Sequence, residues 1–218
     1  MSPLRIFATA FIAASIPLTL SASKDVAPAL GQRGKLLLEE KFAADSVPAG
    51  WTRNTGDLDI HEGALRSRER AADKHVAAFR KPLPLQDCLI QVDVKLDGPT
   101  TFHLGFDPAP GELKKKGHLF SVIITPDQWS ITEHVNKADP ASKNQVLARA
   151  ASKLPRSQWF TLVLEVKGND VIARVDGQEP LRATAKDFHV KKPGLVFRVG
   201  GKGEHAGSID NLNVWQLQ

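Results

Sequence analysis

The sequence predicts an all-β protein built as an antiparallel sandwich or barrel, and three observations lead there. Between Cys88 and Leu96, apolar Cys88, Ile90, Val92, Val94 and Leu96 alternate with polar Gln91, Asp93 and Lys95. This is the period of two expected for a strand with one face in a core and one in water. The alternation recurs at Phe102/Leu104/Phe106, Phe160/Leu162/Leu164/Val166 and Leu195/Phe197/Val199. Short runs of this kind are separated by closely spaced turn signals, with no internal repeat and no strongly amphipathic helical segment.

The elements follow in order. Arg5, the apolar run Ile6 to Leu20 and the small residues Ser21-Ala22-Ser23 read as a secretory signal peptide over residues 1–23. The apolar run is shorter than the ~20 residues a membrane-spanning helix needs. The single cysteine, Cys88, lies too deep to carry a lipid at the cleavage point. A periplasmic or extracellular product without a stable membrane anchor is expected. Residues 24–34, with Pro28, Gly31 and Gly34, read as a linker, and 35–218 as one domain. Its expected strands begin with Leu36–Phe42, followed by a turn at Ala49-Gly50-Trp51 and a hairpin, Asp57–Ile60 with Ala64–Ser67, about Glu62-Gly63. His75–Phe79, Cys88–Leu96 and Thr101–Asp107 come next. Leu119–Thr125 and Trp129–Val135 flank Pro126-Asp127, where proline presets the turn. Residues 136–156 read as a long loop or a poor helix. Phe160–Lys167, Val171–Asp176, Leu181–Ala183, Leu195–Val199 and Ser208–Gln216 complete the series.

Charge and cysteine content narrow the function classes. The formal net charge is +5. The lysine runs, Lys114-Lys115-Lys116 and Lys191-Lys192, sit beside Pro-Gly turns while the aromatics sit in strands. Nucleic-acid binding needs the two interleaved on one surface, so nucleic acid is not an expected partner. One cysteine forbids an internal disulfide, so the core must hold the fold; Cys88, on the apolar side of its strand, is expected to be a buried, inert thiol.

The landmarks Glu39-Glu40-Lys41-Phe42 with Gly50-Trp51, Asp59-Ile60-His61-Glu62-Gly63-Ala64-Leu65, Trp159 to Val166 with Val175-Asp176-Gly177, and Ser208-Ile209-Asp210-Asn211-Leu212 resemble the concanavalin A-like lectin/glucanase superfamily. More narrowly they resemble the 3-keto-disaccharide hydrolase domain family. The resemblance covers about residues 35–218 and implies a two-sheet jelly-roll sandwich with a carbohydrate ligand on its concave outer face. In the centre, Phe102-His103-Leu104-Gly105-Phe106-Asp107 stands where the hydrolase family is expected to carry an Asn-Ser-Gly-Ile-like strand.

Strand parity nominates the residues of that face. If Phe102, Leu104 and Phe106 point between the sheets, His103, Gly105 and Asp107 point out. About the Pro126-Asp127 turn, Ile124 faces Trp129, Val122 faces Ile131 and Phe120 faces Glu133, so His134 lies with the outward set. The expected patch is Gln91, Asp93, His103, Asp107, His134 and Arg198, hydrogen-bonding groups suited to a hydroxyl-rich ligand. The competing reading makes them the wet face of an antiparallel sheet. His103, Asp93 and Asp107 are the catalytic candidates, and Gln91, His134 and Arg198 the binding ones. For a 3-keto sugar, the ketone acidifies the neighbouring C–H, so one general base such as His103 or Asp93 can drive elimination at C1.

Other constellations are weaker. Glu133 opposite Phe120 is a buried general acid, or the strand is bulged there, or Glu133 is a rim carboxylate. Asp57-Leu58-Asp59-Ile60-His61-Glu62 has the acid-x-Asp-x-x-acid spacing of related glucanases, but it runs into a hairpin tip. No His-x-x-x-His pair or cysteine set points to zinc. The resemblance nominates Asp210, with Glu40, for a structural calcium; otherwise Asp210 is a strand-end aspartate bonded to backbone. All four tryptophans are expected in the core, and no nucleophile elbow, phosphate loop or dinucleotide fingerprint occurs. The expected function is a secreted carbohydrate-interacting sandwich, hydrolytic or not. The alternative is a non-catalytic module with a protein partner, which a flat apolar face around Ile123 would favour.

Overall fold

The computed structural model describes residues 26–201 and 205–218. The expected signal peptide lies outside the described residues. The described chain forms β1 (Arg33–Glu40), β2 (Thr52–Thr55), β3 (Asp57–His61), β4 (Ala64–Arg68), β5 (Ala77–Leu85), β6 (Cys88–Leu96), β7 (Thr101–Phe106) and β8 (Phe120–Ile124). Then follow β9 (Gln128–Glu133), β10 (Gln145–Ala151), β11 (Trp159–Lys167), β12 (Asp170–Val175), β13 (Leu181–Thr184), β14 (Lys192–Gly200) and β15 (Ala206–Leu217). One short 3₁₀ turn, Ala71–Asp73, interrupts them. Two antiparallel sheets result. The eight-stranded sheet runs β13-β12-β11-β6-β15-β4-β3, with β1 also paired to β15. The seven-stranded sheet runs β10-β9-β8-β7-β14-β5-β2. This is the two-sheet jelly-roll sandwich that the resemblance implies.

The alternating apolar positions meet between the sheets. Phe102, Leu104, Phe106, Phe197, Leu162, Leu164 and Val94 are among the side chains buried in a single core. Phe79 and Phe197 stack at 5.1 Å between ring centroids, and Trp51 leans on both at 5.9 and 5.7 Å. Cys88 is fully buried among them, and burial pushes its thiol up to about 12, so it stays protonated. The β8–β9 register is the one parity predicts: Ile124 opposite Trp129, Val122 opposite Ile131, Phe120 opposite Glu133.

Departures from the sequence reading have local causes. Residues 145–151, expected as loop or helix, are the edge strand β10, paired only to β9 and bulged between Val146 and Ala148. An edge strand buries little, so its alternation is faint. Strand β5 continues past Phe79 through Pro82 and Pro84. Its neighbour β2 pairs only as far as Arg80, so the prolines face no missing donor on that side. Trp51 and Trp129 are core as expected, but Trp159 is 43% exposed. Trp215 is half-buried under the Arg33 guanidinium, 4.5 Å from its ring centre.

The segment read as a linker is docked from residue 26 onward. The Ala29 and Leu30 amides donate to the Glu165 carboxylate at 2.7 and 2.8 Å. Gln32 and Gln218 exchange backbone hydrogen bonds at 2.8 and 2.9 Å. Val26 and Leu30 pack on Leu89, Val163 and Leu217. Glu165 is fully buried and is neutralised by Arg174. Removing its carboxylate strands a cation and two amides at once. Glu165→Ala is therefore expected to lower unfolding free energy by about 3–5 kcal/mol. It should also open the chain before residue 33 to limited proteolysis. A variant with unchanged denaturation midpoint and unchanged cleavage would contradict this account of the strap.

Candidate functional site

The outer face of the seven-stranded sheet is organised in cross-strand rows. One row reads Arg149, Ser130, Ile123, His103, Arg198 and Ala78 from β10 to β5. The next reads Thr132, Ser121, Gly105, Val196 and Arg80. Asp107, one residue past β7, continues its outward set, and His134, one past β9, does the same. Each side chain is outward because its sequence neighbours, such as Phe102, Leu104 and Phe106, are committed to the core.

Hydrogen bonds join these residues into a network. Asp107 accepts from Arg80 Nη2 at 3.1 Å and from His118 Nδ1 at 2.5 Å. The His118 and His134 rings meet edge to face, 5.5 Å between centroids. His134 Nε2 lies 2.9 Å from Ser121 Oγ and 3.1 Å from Arg198 Nη2. A guanidinium only donates, so His134 Nε2 accepts and its proton sits on Nδ1. Gly105 makes the floor: a Cβ there would fall 2.2 Å from Ser121 Oγ and from the Phe120 carbonyl. Any side chain at that position would displace the serine that holds His134. A cavity of about 120 Å³ opens beside Asp107, walled by Arg80, Pro82, Pro193, Gly194 and Val196.

Burial and the Arg198 charge push the His103 and His134 imidazoles down to about 3, so both are neutral at ordinary pH. His103 Nδ1 is buried without a partner. Arg198 is itself pushed below the usual guanidinium range, chiefly by burial, with Asp107 opposing the shift. Burial alone would raise Asp107. The hydrogen bonds and charges of His118 and Arg80 outweigh that and hold it low, so it remains an ionised acceptor. In the tautomer that donates Nδ1–H to this carboxylate, the free lone pair of His118 is at Nε2.

His103, Asp107, His134 and Arg198 thus share one face, but Gln91 and Asp93 do not. Both lie on β6 in the other sheet. Asp93 accepts from Thr161 Oγ1 at 2.7 Å and Asn211 Nδ2 at 2.9 Å, while Gln91 pairs across to Val163 and Asn213. Parity gives the side of a strand, not the sheet to which the strand belongs, so the six residues divide between two sheets. Glu133 is the rim carboxylate of the sequence reading, ion-paired with Lys115 at 3.3 Å. Asp57 and Asp59 sit on the edge strand β3, held by Arg68 and Arg66 at 3.3 and 2.8 Å. Their glucanase-like spacing puts no acid on the seven-stranded face.

Asp210 and Glu40 each have a partner of their own. Asp210 pairs with Asp93, and burial raises its pKa. Glu40 pairs with core residue Leu212 and turns to Lys81 of the other sheet at 3.0 Å. The sequence reading missed Arg80, His118 and Ser121. Arg80 lies beyond the expected end of its strand, and His118 precedes β8, where period-two parity has no purchase. Ser121 has the outward parity of β8, but no local signal marks it as the partner of His134.

The architecture is an antiparallel two-sheet jelly roll, and solved structures share it. A laminarinase from Rhodothermus marinus superposes with a TM-score of 0.65 at 11% identity, covering 87% of this chain and 100% of that one. The non-specific endo-β-1,3(4)-glucanase SCLam of family GH16 gives 0.65 at 15% identity over 88% and 95% of the two chains. The carbohydrate-binding module CBM66 from Bacillus subtilis gives 0.58 at 13% identity over 77% and 96%. No protein-family model and no curated protein sequence matches the chain.

The two depressed imidazoles set a pH dependence of stability. Their folded values lie below the unfolded value of about 6.5, so the unfolded chain takes up protons first as pH falls. No effect is present above about pH 7. Stability declines from about pH 6.5 toward 3, by about 2 kcal/mol per imidazole at pH 5. Urea unfolding at pH 7.5 and 5.0 should reveal the drop, and His103→Gln should shrink it. Equal midpoints at the two pH values in the parent protein would contradict the assignment.

Proposed function

We propose that the protein is an extracytoplasmic carbohydrate-interacting β-sandwich that receives a saccharide on the outer face of its seven-stranded sheet. The observation that carries this reading is the network on that face. Neutral imidazoles, a serine hydroxyl, guanidiniums and one ionised carboxylate are all fixed on a rigid strand floor. Such groups donate to and accept from sugar hydroxyls without side-chain reorganisation. The carbohydrate-active names of the structural neighbours support it, and the signal-like residues 1–23 support a periplasmic or extracellular location. The face is not a flat apolar one: Ile123 lies between His103 and Ser130, which disfavours a protein partner there.

The finer reading is cleavage of a 3-keto-disaccharide. A displacement by two carboxylates has no support, because Asp107 is the one carboxylate at the outward positions of β5, β7–β10 and β14. Base-driven elimination needs only one positioned base. His103 suits that role poorly, being neutral with a very weakly basic ring. His118, oriented by Asp107, suits it better. In that reading His118 Nε2 takes the C2 proton, the C1–O bond breaks, and the departing oxygen takes up a proton. Water then adds to the resulting C1–C2 double bond.

The test has two parts. Glycan-array binding by the mature protein should be positive, and loss of all binding to saccharides would end the carbohydrate reading. Incubation with 3-keto-glycosides should release reducing sugar, and His118→Ala should lower the rate about 100-fold or more. Binding without any release would leave a lectin-like module and end the hydrolytic version.

A further inference from the structure

Arg198 is a half-buried cation on this face with no carboxylate of its own. Its hydrogen-bond partners are both neutral, Ser121 Oγ at 3.4 Å and His134 Nε2 at 3.1 Å. Among the described residues it forms no ion pair, and its Nε is buried without a partner. The nearby anion, Asp107, is already shared between Arg80 and His118. Four strands away in the same row, Arg149 is exposed and likewise forms no ion pair among the described residues. Strand spacing separates the two by about 19 Å. The outward positions of β5, β7–β10 and β14 therefore carry three guanidiniums against one carboxylate, with the imidazoles between them neutral.

A partly desolvated, unpaired guanidinium is costly, and a bidentate oxyanion is the group that best compensates it. We infer that the saccharide taken by this face is acidic, a uronate- or sulfate-bearing glycan with one anionic group seated on Arg198 and a second toward Arg149. The inference rests on the carbohydrate reading above and deepens it. The chemistry common to a carboxylate and a sulfate is a planar pair of oxygens facing a guanidinium fork. The flanking His103 and His134, being uncharged, place no competing charge beside it. A neutral glucan would leave Arg198 as unpaired in the complex as it is in the free protein.

The experiment is an array of matched glycans: tetragalacturonate beside its methyl ester, and sulfated beside unsulfated oligosaccharides of the same backbone. The expected result is at least tenfold tighter binding of the acidic member of a pair. Arg198→Gln should bring that ratio close to one, and Arg149→Gln, at an exposed position, should narrow it at least threefold. Arg182→Gln, on the edge strand of the other sheet, should leave it unchanged. Should Arg198→Gln fail to fold, the Arg149 and Arg182 variants still decide between a local site and general charge attraction. Equal affinity for acidic and neutral members overturns the inference and leaves the carbohydrate reading standing. An acidic preference reduced alike by Arg149→Gln and Arg182→Gln also overturns it, since overall charge then explains the preference. Silence across the whole array overturns both.

Discussion

Strand β7 sets the geometry on which everything else depends. It lies between β8 and β14, and Phe102, Leu104 and Phe106 are fully buried against the opposite sheet. A strand cannot rotate to relieve one position, because a one-residue slip would send all three phenylalanine and leucine side chains into water. His103, Gly105 and Asp107 are therefore fixed outward by the core rather than by anything they touch. The β8 and β14 registers then bring Ser121 and Arg198 alongside. The polar face inherits its rigidity from the apolar one.

Within that face, electrostatics distribute the roles. Asp107 has two cationic or proton-donating partners and stays ionised. Arg198 has none with a full negative charge, and its charge adds to burial in depressing the basicity of His103 and His134 around it. The two imidazoles are neutral chiefly because they are buried, and the uncompensated guanidinium adds to that effect. His118 stands apart because the Asp107 carboxylate, not Arg198, is its hydrogen-bond partner. A single sheet surface thus holds a carboxylate–imidazole pair and, on the neighbouring strand, an unpaired guanidinium.

The other sheet manages its polar groups differently. Asp93 is satisfied by Thr161 and Asn211, the latter held in a left-handed conformation (φ 47°) at a bulge in β15. Glu165 is satisfied by Arg174 and by the incoming strap at Ala29 and Leu30. These groups close on one another and on backbone, so they stabilise the sandwich and present little free hydrogen-bonding capacity. The contrast between closed networks on one face and an open one on the other marks the seven-stranded sheet as the candidate binding surface.

The strands with buried neighbours on both sides were legible from alternation alone: β6, β7, β11 and β14 each carry an unbroken apolar parity, and the Pro126-Asp127 turn fixed the β8–β9 register. Edge elements were not legible. Strand β10 and the proline-bearing end of β5 bury too little, or look too much like turns, for local pattern to name them. The outward orientation of His103, Asp107, His134 and Arg198 follows from period two, a local property of the backbone. Which strands become neighbours is a long-range property, settled when the two halves of the core close, and no local signal encodes it. That is why the sequence could place Asp93 on an outer face yet not say which sheet, and why the contacts of Asp107 with Arg80 and His118 emerged only from the folded chain.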